Sequence, residues 1–139
     1  MIINAKDAIL GRLSSYAAKQ VLLGNKVDIV NCEECIVSGK KAAILRNYIR
    51  RVDRKAPGKG PYLYRRADMF VKRTIRGMLP YKQERGIKAF KRIKCFMGVP
   101  ESYAKQKLET VTGADASRLK TLNFITINDL SKHVGKGVA

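Results

Sequence analysis

Between residues 40 and 94 the chain carries 19 lysines and arginines against 3 acids, a net of +16. The rest of the sequence holds 10 basic and 8 acidic residues and is close to balanced. No other feature constrains the chain as much. Like charge packed this densely makes a compact state repel itself, and an anionic partner is the economical remedy. Nucleic acid fits that role, because each neutralised phosphate releases condensed counterions. An anionic membrane surface is the competing partner. No apolar run approaches the roughly 18 residues of a spanning helix. A membrane-surface binder would also want bulky aromatics on a basic amphipathic helix, yet the chain has no Trp and 4 Phe. No membrane partner is expected.

The opposing requirement is a core. With 139 residues, 45% of them hydrophobic, the chain suits a single domain over residues 1–139 that buries a real interior. The first forty residues read as β-α-β-β. Met1 to Ala5 starts as a short apolar strand. Leu10 to Leu23 reads as a helix, with Leu10, Leu13, Ala17 and Val21 on one face and Arg12, Ser15 and Lys19 on the other. Gly24-Asn25 stops it. Val27 to Asn31 and Glu34 to Val37 read as further strands, the last closed by Ser38-Gly39. Short apolar strands around a helix predict a parallel, covered sheet.

Helices continue through the basic stretch. One is predicted from Lys40 to Val52, with Leu45, Tyr48, Ile49 and Val52 as its apolar face. Asp53 to Arg66, which carries Pro57, Gly58, Gly60 and Pro61, reads as a long basic loop. Loops of that length in a compact domain are usually functional or disordered, and this one is expected to be the most mobile part of the free protein and to order on binding. A third helix is predicted over Ala67 to Leu79, with Val71, Ile75, Met78 and Leu79 facing inward and Lys72, Arg73 and Arg76 outward; Pro80 ends it. A fourth is predicted from Glu84 to Ile93, with Arg85, Lys88 and Arg92 on one face. Lys94 to Met97 and Thr121 to Ile127 read as strands. Asn128 to Val134 reads as a short helix before Gly135-Lys136-Gly137. The expected fold is therefore α/β: a small, mainly parallel sheet of about four strands flanked by helices, with a long basic loop.

The basic stretch, residues 40–94, is the candidate RNA-binding region. Its expected RNA-binding residues are Lys40, Lys41, Arg50, Arg54, Lys55, Lys59, Arg65, Arg66, Lys72, Arg73, Arg76, Lys82, Arg85, Lys88 and Arg92; lysine and arginine serve phosphates and bases alike. Tyr62 and Tyr64 stand among these charges, where they can stack on unpaired bases. An ordinary solvated face mixes charge signs, and this one barely does. No helix-turn-helix or zinc-finger spacing is visible, so a long basic loop points to RNA of complex shape. Gly77 lies inside a predicted helix, where glycine costs about 1 kcal/mol relative to alanine. Close approach by a backbone, of RNA or of protein, would justify it.

Enzymatic readings find little support. An RNA-modifying enzyme would need an acid–base pair or a cofactor loop, and neither is visible. His133 is the only histidine and has no nucleophile beside it. Gly58-Lys59-Gly60 lacks the strand-to-helix context of a phosphate loop. Cys32-Glu33-Glu34-Cys35 is a lone Cys-x-x-Cys. A zinc site would need two more ligands, and only Cys95 and His133 are candidates. Glu33 and Glu34 disfavour thiolates, and buried or turn cysteines are the default. No cofactor, metal or small-molecule substrate is expected. Three cysteines and a start lacking secretory character predict a reducing, cytoplasmic setting.

One run of residues is more specific than composition. Arg73-Thr74-Ile75-Arg76-Gly77-Met78-Leu79-Pro80-Tyr81-Lys82 resembles R-T-V-R-G-M-L-P-H-K, the signature of the L-thirteen family of large-ribosomal-subunit proteins in its archaeal and eukaryotic form. Arg85-Gly86, Ala89, Arg92-Ile93-Lys94-Cys95-Phe96 and Gly98-Val99-Pro100 follow in the family's order. Upstream, Gly60-Pro61-Tyr62, Arg66-Ala67, Asp7-Ala8, Leu10 to Ser15 and Gly39-x-Lys41 also resemble family elements. The resemblance covers about residues 1–107 and is poor over 108–126. Asp68 stands where the family usually has Pro, and Tyr81 where His is common. The resemblance implies a structural constituent of the large subunit, not an enzyme. It also implies binding to large-subunit ribosomal RNA, a role early in subunit assembly, and neighbouring ribosomal proteins as partners.

Overall fold

A computed structural model describes residues 1–135. Lys136 and Gly137 of the predicted tail lie outside the described residues. The chain begins with strand β1 (Ile2–Asn4) and helix α1 (Leu10–Leu22), followed by β2 (Val27–Val30) and β3 (Ile36–Ser38). Helices α2 (Lys41–Asp53), α3 (Ala67–Met78) and α4 (Glu84–Lys91) come next. Strand β4 (Ile93–Cys95), strand β5 (Phe124–Thr126) and helix α5 (Ile127–Gly135) complete the chain.

The sheet is parallel where the sequence predicts it. β2 is central, with β1 on one side and β4 on the other. Ile3 pairs with Ile29, and Ile29 with Cys95. Parallel strands need cover on both faces, and Ile3, Val27, Ile29 and Ile93 are all buried. Helix α1 buries Leu10, Leu13, Ala17 and Val21, the stripe read from its period. It ends where Gly24 adopts φ +102°, a conformation glycine takes without steric cost.

The number of strands in that sheet is smaller than expected. β3 leaves it and pairs antiparallel with β5 as a separate ribbon, Val37 opposite Ile125. Residues 32–34 form a single 3-10 turn between β2 and β3, where the sequence predicts a strand beginning at Glu34. The ribbon brings Ile125, Ile127, Leu130 and Val134 into the main core. The C-terminal segment thus closes the interior opened by the first forty residues.

The irregular stretch between β4 and β5 also has a structural task. The Asn4 N–H donates to the Glu109 carbonyl and the Glu109 N–H to the Ile2 carbonyl, each at 2.9 Å. Ile9 donates to Ala114 and Ala116 to Asp7. Backbone from this stretch therefore covers the outer edge of β1, which would otherwise present unpaired peptide groups. The Gly98 N–H donates to the Glu33 carboxylate at 2.9 Å, and the Tyr103 hydroxyl to Asp28 at 2.9 Å.

Two apolar positions face outward against expectation. Ile49 of α2 is 44% exposed and Met78 of α3 is 43% exposed. Ile44 takes the inward place on α2, packed against the core with Leu45, Tyr48 and Val52. Met78 is the last residue of α3. There the chain turns extended so that Leu79 is the buried residue.

Candidate nucleic-acid interface

Helix α2 has no fully buried residue. It lies on the molecule by one half-buried side, and the Tyr48 ring meets Phe70 of α3 edge-on at 5.4 Å. The rest of its surface is free to carry charge, including Lys41, Arg50 and Arg51; Lys40 precedes it and is exposed. The loop after α2 folds on itself. The Ala56 N–H donates to the Gly60 carbonyl at 2.9 Å, and the Tyr62 hydroxyl to the Gly58 carbonyl at 3.0 Å. Arg54, Lys55 and Lys59 are exposed on it.

Arg73 fastens this loop to α3. Its guanidinium donates to the Tyr62 carbonyl at 3.1 Å and lies 6.0 Å from the centre of the Tyr64 ring. At the loop's other end Ser131 of α5 donates to the Arg65 carbonyl. The same pairing of cation and ring recurs across the basic region. Arg51 lies over Tyr48 at 5.4 Å, Lys72 over Phe90 at 5.2 Å and Arg76 over Tyr81 at 4.7 Å. Such contacts hold a charged group in a fixed place without neutralising it. Tyr81, where the resembled family commonly has His, thus has a local role: it seats Arg76.

Acids do little to balance this surface. Among the described residues the region has two ion pairs, Arg66–Asp68 at 3.1 Å and Lys88–Glu84 at 2.6 Å. The Lys88–Glu84 pair is exposed, and such pairs contribute about 0–1 kcal/mol; in the other, Asp68 is buried and Arg66 exposed. Asp68, in the place of a usual Pro, lies in the first turn of α3, where the helix dipole favours a negative charge. Lys82 and Arg85 extend the basic surface past Pro80, and Arg85 donates to the Gln83 side chain at 3.0 Å.

The expected contact residues differ in how far they are exposed. Arg92 is half-buried and donates to the Val21 carbonyl at 3.2 Å, near the end of α1 where the helix dipole favours a cation. Lys72 is half-buried under its contact with Phe90. Gly77 is exposed, and a Cβ built there would have nothing within 4 Å. Close approach by protein is therefore not its reason. Among the described glycines protein comes nearest at Gly86, whose added Cβ would lie 2.1 Å from the Pro80 carbonyl oxygen. Its only sequence signal is the Arg-Gly step in the resembled motif. Arg51, outside the expected contacts, lies over the Tyr48 ring three residues before it, the spacing that puts both on one helix face.

The cysteines are inward. Cys32 and Cys35 are buried, and Cys35 donates to the Ala8 carbonyl at 3.1 Å. Burial pushes the Cys35 thiol up to about 12. A hydrogen bond with Cys95, reinforced by burial, raises Cys32 as well. Both are held as thiols, the opposite of what a metal ligand or redox nucleophile needs. No group of three or more metal-ligating side chains occurs among the described residues.

Comparison with known proteins agrees with the central motif. Residues 1–102 match the family model described as ribosomal protein L13. The chain is 40% identical over 136 residues to large ribosomal subunit protein uL13 of Methanopyrus kandleri, an alignment covering 96% of this chain and 86% of that protein. It is 41% identical to the uL13 proteins of Methanococcoides burtonii and Methanocaldococcus jannaschii, with 96% of each chain covered in both cases. These alignments run well past residue 107, so the similarity extends through the stretch where the motif reading finds little.

Proposed function

Because the chain belongs to the ribosomal protein L13 family, a structural protein of the large ribosomal subunit and not an enzyme, we propose that it binds large-subunit ribosomal RNA through residues 40–94. The remainder of a single domain acts as the scaffold for that surface. The observation that carries this reading is the set of cations seated on aromatic rings. Arg51, Arg73 and Arg76 are fixed in position by Tyr48, Tyr64 and Tyr81 and have no acidic partner within 4.0 Å among the described residues. Fixed, unpaired cations suit an RNA of defined shape better than a diffuse counterion cloud.

Lys40, Lys41, Arg50, Arg54, Lys55, Lys59, Arg65, Lys82 and Arg85 surround them as phosphate contacts, with Arg66 and Lys88 available by exchanging an acid for a phosphate. Tyr62, exposed on the loop, offers a stacking face. Gly77 leaves room for RNA to come close. The protein would work on the cytoplasmic ribosome beside other large-subunit proteins and join the RNA early in assembly.

Binding to large-subunit RNA fragments, compared with random RNA of equal length across a salt series, tests the reading. Affinity should fall steeply with salt for every RNA. One fragment should keep an advantage at high salt. Equal binding of all RNAs at every salt would reduce the basic surface to a generic footprint.

A further inference from the structure

Between α2, the loop and α3 lies a cleft of about 230 Å³, lined among others by Tyr48, Arg51, Tyr64, Phe70, Arg73 and Gly77. We propose that this cleft receives one unpaired RNA base, with Arg51 and Arg73 flanking it to take the phosphate. The inference rests on the RNA-binding reading above and adds a ligand group and a pocket to it.

Three independent observations meet here. The first is chemical. Flat aromatic side chains and guanidinium groups line the same small space, the combination that stacks a base and holds its backbone. The second is size. The cleft is smaller than the roughly 300–1,000 Å³ of pockets for drug-sized ligands, which suits a single ring system and not a base pair. The third is Gly77. A glycine inside a helix is unfavourable, yet no protein atom comes within 4 Å of where its Cβ would stand. The missing side chain leaves one wall of the cleft bare, so an occupant can lie flat against α3.

Arg51 and Arg73 each lie over one of the cleft's rings, and Arg73 spends one donor on the Tyr62 carbonyl. A guanidinium has five N–H donors, so Arg73 can fasten the loop and bind a phosphate oxygen together. An acidic side chain of a partner protein would also meet the arginines, but would gain nothing from the aromatic walls. That occupant is an outcome of the test.

The test uses the full chain and two probes: a short single-stranded RNA, and a ribose-phosphate oligomer of the same length without bases. The native protein should bind the base-bearing probe about tenfold more tightly. Gly77→Leu fills the cleft from an exposed helix position and, in a Tyr62→Ala background that removes stacking outside the cleft, should bind both probes equally, with no loss of thermal stability. Tyr64→Leu should likewise lose the preference, and Tyr64→Phe should keep it. A Gly77→Leu protein that, in the Tyr62→Ala background, still preferred the base-bearing probe would overturn the inference, as would a native protein with no preference. The second outcome would point to an acidic occupant. Neither result bears on selectivity for large-subunit fragments, so the pocket and the broader reading can fail separately.

Discussion

The half of the molecule built on β1, α1, β2 and β4 and the half built on α2 and its following loop are held by different means. In the first, Ile3, Leu13, Val27, Ile29 and Ile93 are almost wholly out of water, and burial carries the stability. In the second, no α2 residue is fully buried; ring–cation contacts and single hydrogen bonds hold the loop. The difference teaches a division of labour. A buried sheet fixes the frame, and the half with little core is free to concentrate charge.

The sharpest way to break this comparison is to cut each half and read both stability and RNA affinity. Leu13→Ala or Ile29→Ala should cost about 2–5 kcal/mol, measured by denaturant unfolding, while leaving the salt slope of RNA binding by the folded fraction unchanged. Gly86→Ala should also destabilise, because its Cβ would strike the Pro80 backbone and the turn must shift, by roughly 1–3 kcal/mol as overpacking does. In the other half, Arg54→Ala with Lys55→Ala and Lys59→Ala should hardly move the unfolding midpoint. Each replaced phosphate contact should lower the salt slope by about one.

A pH series sharpens the contrast from the core side. The Cys35 thiol is raised to about 12 by burial, so above the ordinary thiol value the unfolded chain loses a proton that the folded chain keeps. Stability is fully present at neutral pH and should decline from the ordinary thiol range, about 8.5, up to about 12. Cys35→Ser should reduce that decline and leave the part due to Cys32, which is raised as well. In the native state Cys35 should resist alkylation until the protein unfolds. The smallest effect belongs to Gly77→Ala, at the penultimate residue of α3, which should raise stability by less than the roughly 1 kcal/mol of a helix interior. If it also bound and assembled normally, close approach of RNA to that residue would be excluded.

Local periodicity revealed the elements whose burial is decided locally. The α1 stripe of Leu10, Leu13, Ala17 and Val21 is buried as read, and Gly24 and Pro80 stop their helices. What periodicity could not supply was long-range pairing. β3 looks like a neighbour of β2 in sequence, yet its partner β5 lies some ninety residues away, and nothing in Ile36 to Ser38 names it. The cover over the β1 edge by Glu109 and Ala114 is equally hidden, because backbone bonds leave little trace in side-chain pattern. On α2 the apolar arc is wide enough to allow two rotations, and packing on α5 and α3 selected Ile44 over Ile49. The basic surface was legible as charge, but not its internal order. Charge count does not distinguish Arg92, tied to the end of α1, from Arg76, seated on Tyr81. The free loop's expected mobility is a matter for amide exchange without RNA, where uniformly strong protection over Arg54 to Arg66 would contradict it.

Recognition of ribosomal RNA is proposed for the basic surface of α2, the loop, α3 and α4, on a buried frame that does not itself take part. The most direct measurement is competition between large-subunit RNA fragments and random RNA at high salt, for the native chain and for Arg51→Ala with Arg73→Ala. One fragment should win with the native chain and lose its advantage with the variant, in which the loop is released from α3 while amide protection in β1, β2 and β4 stays native. A variant that kept full selectivity would contradict it and move recognition to another face.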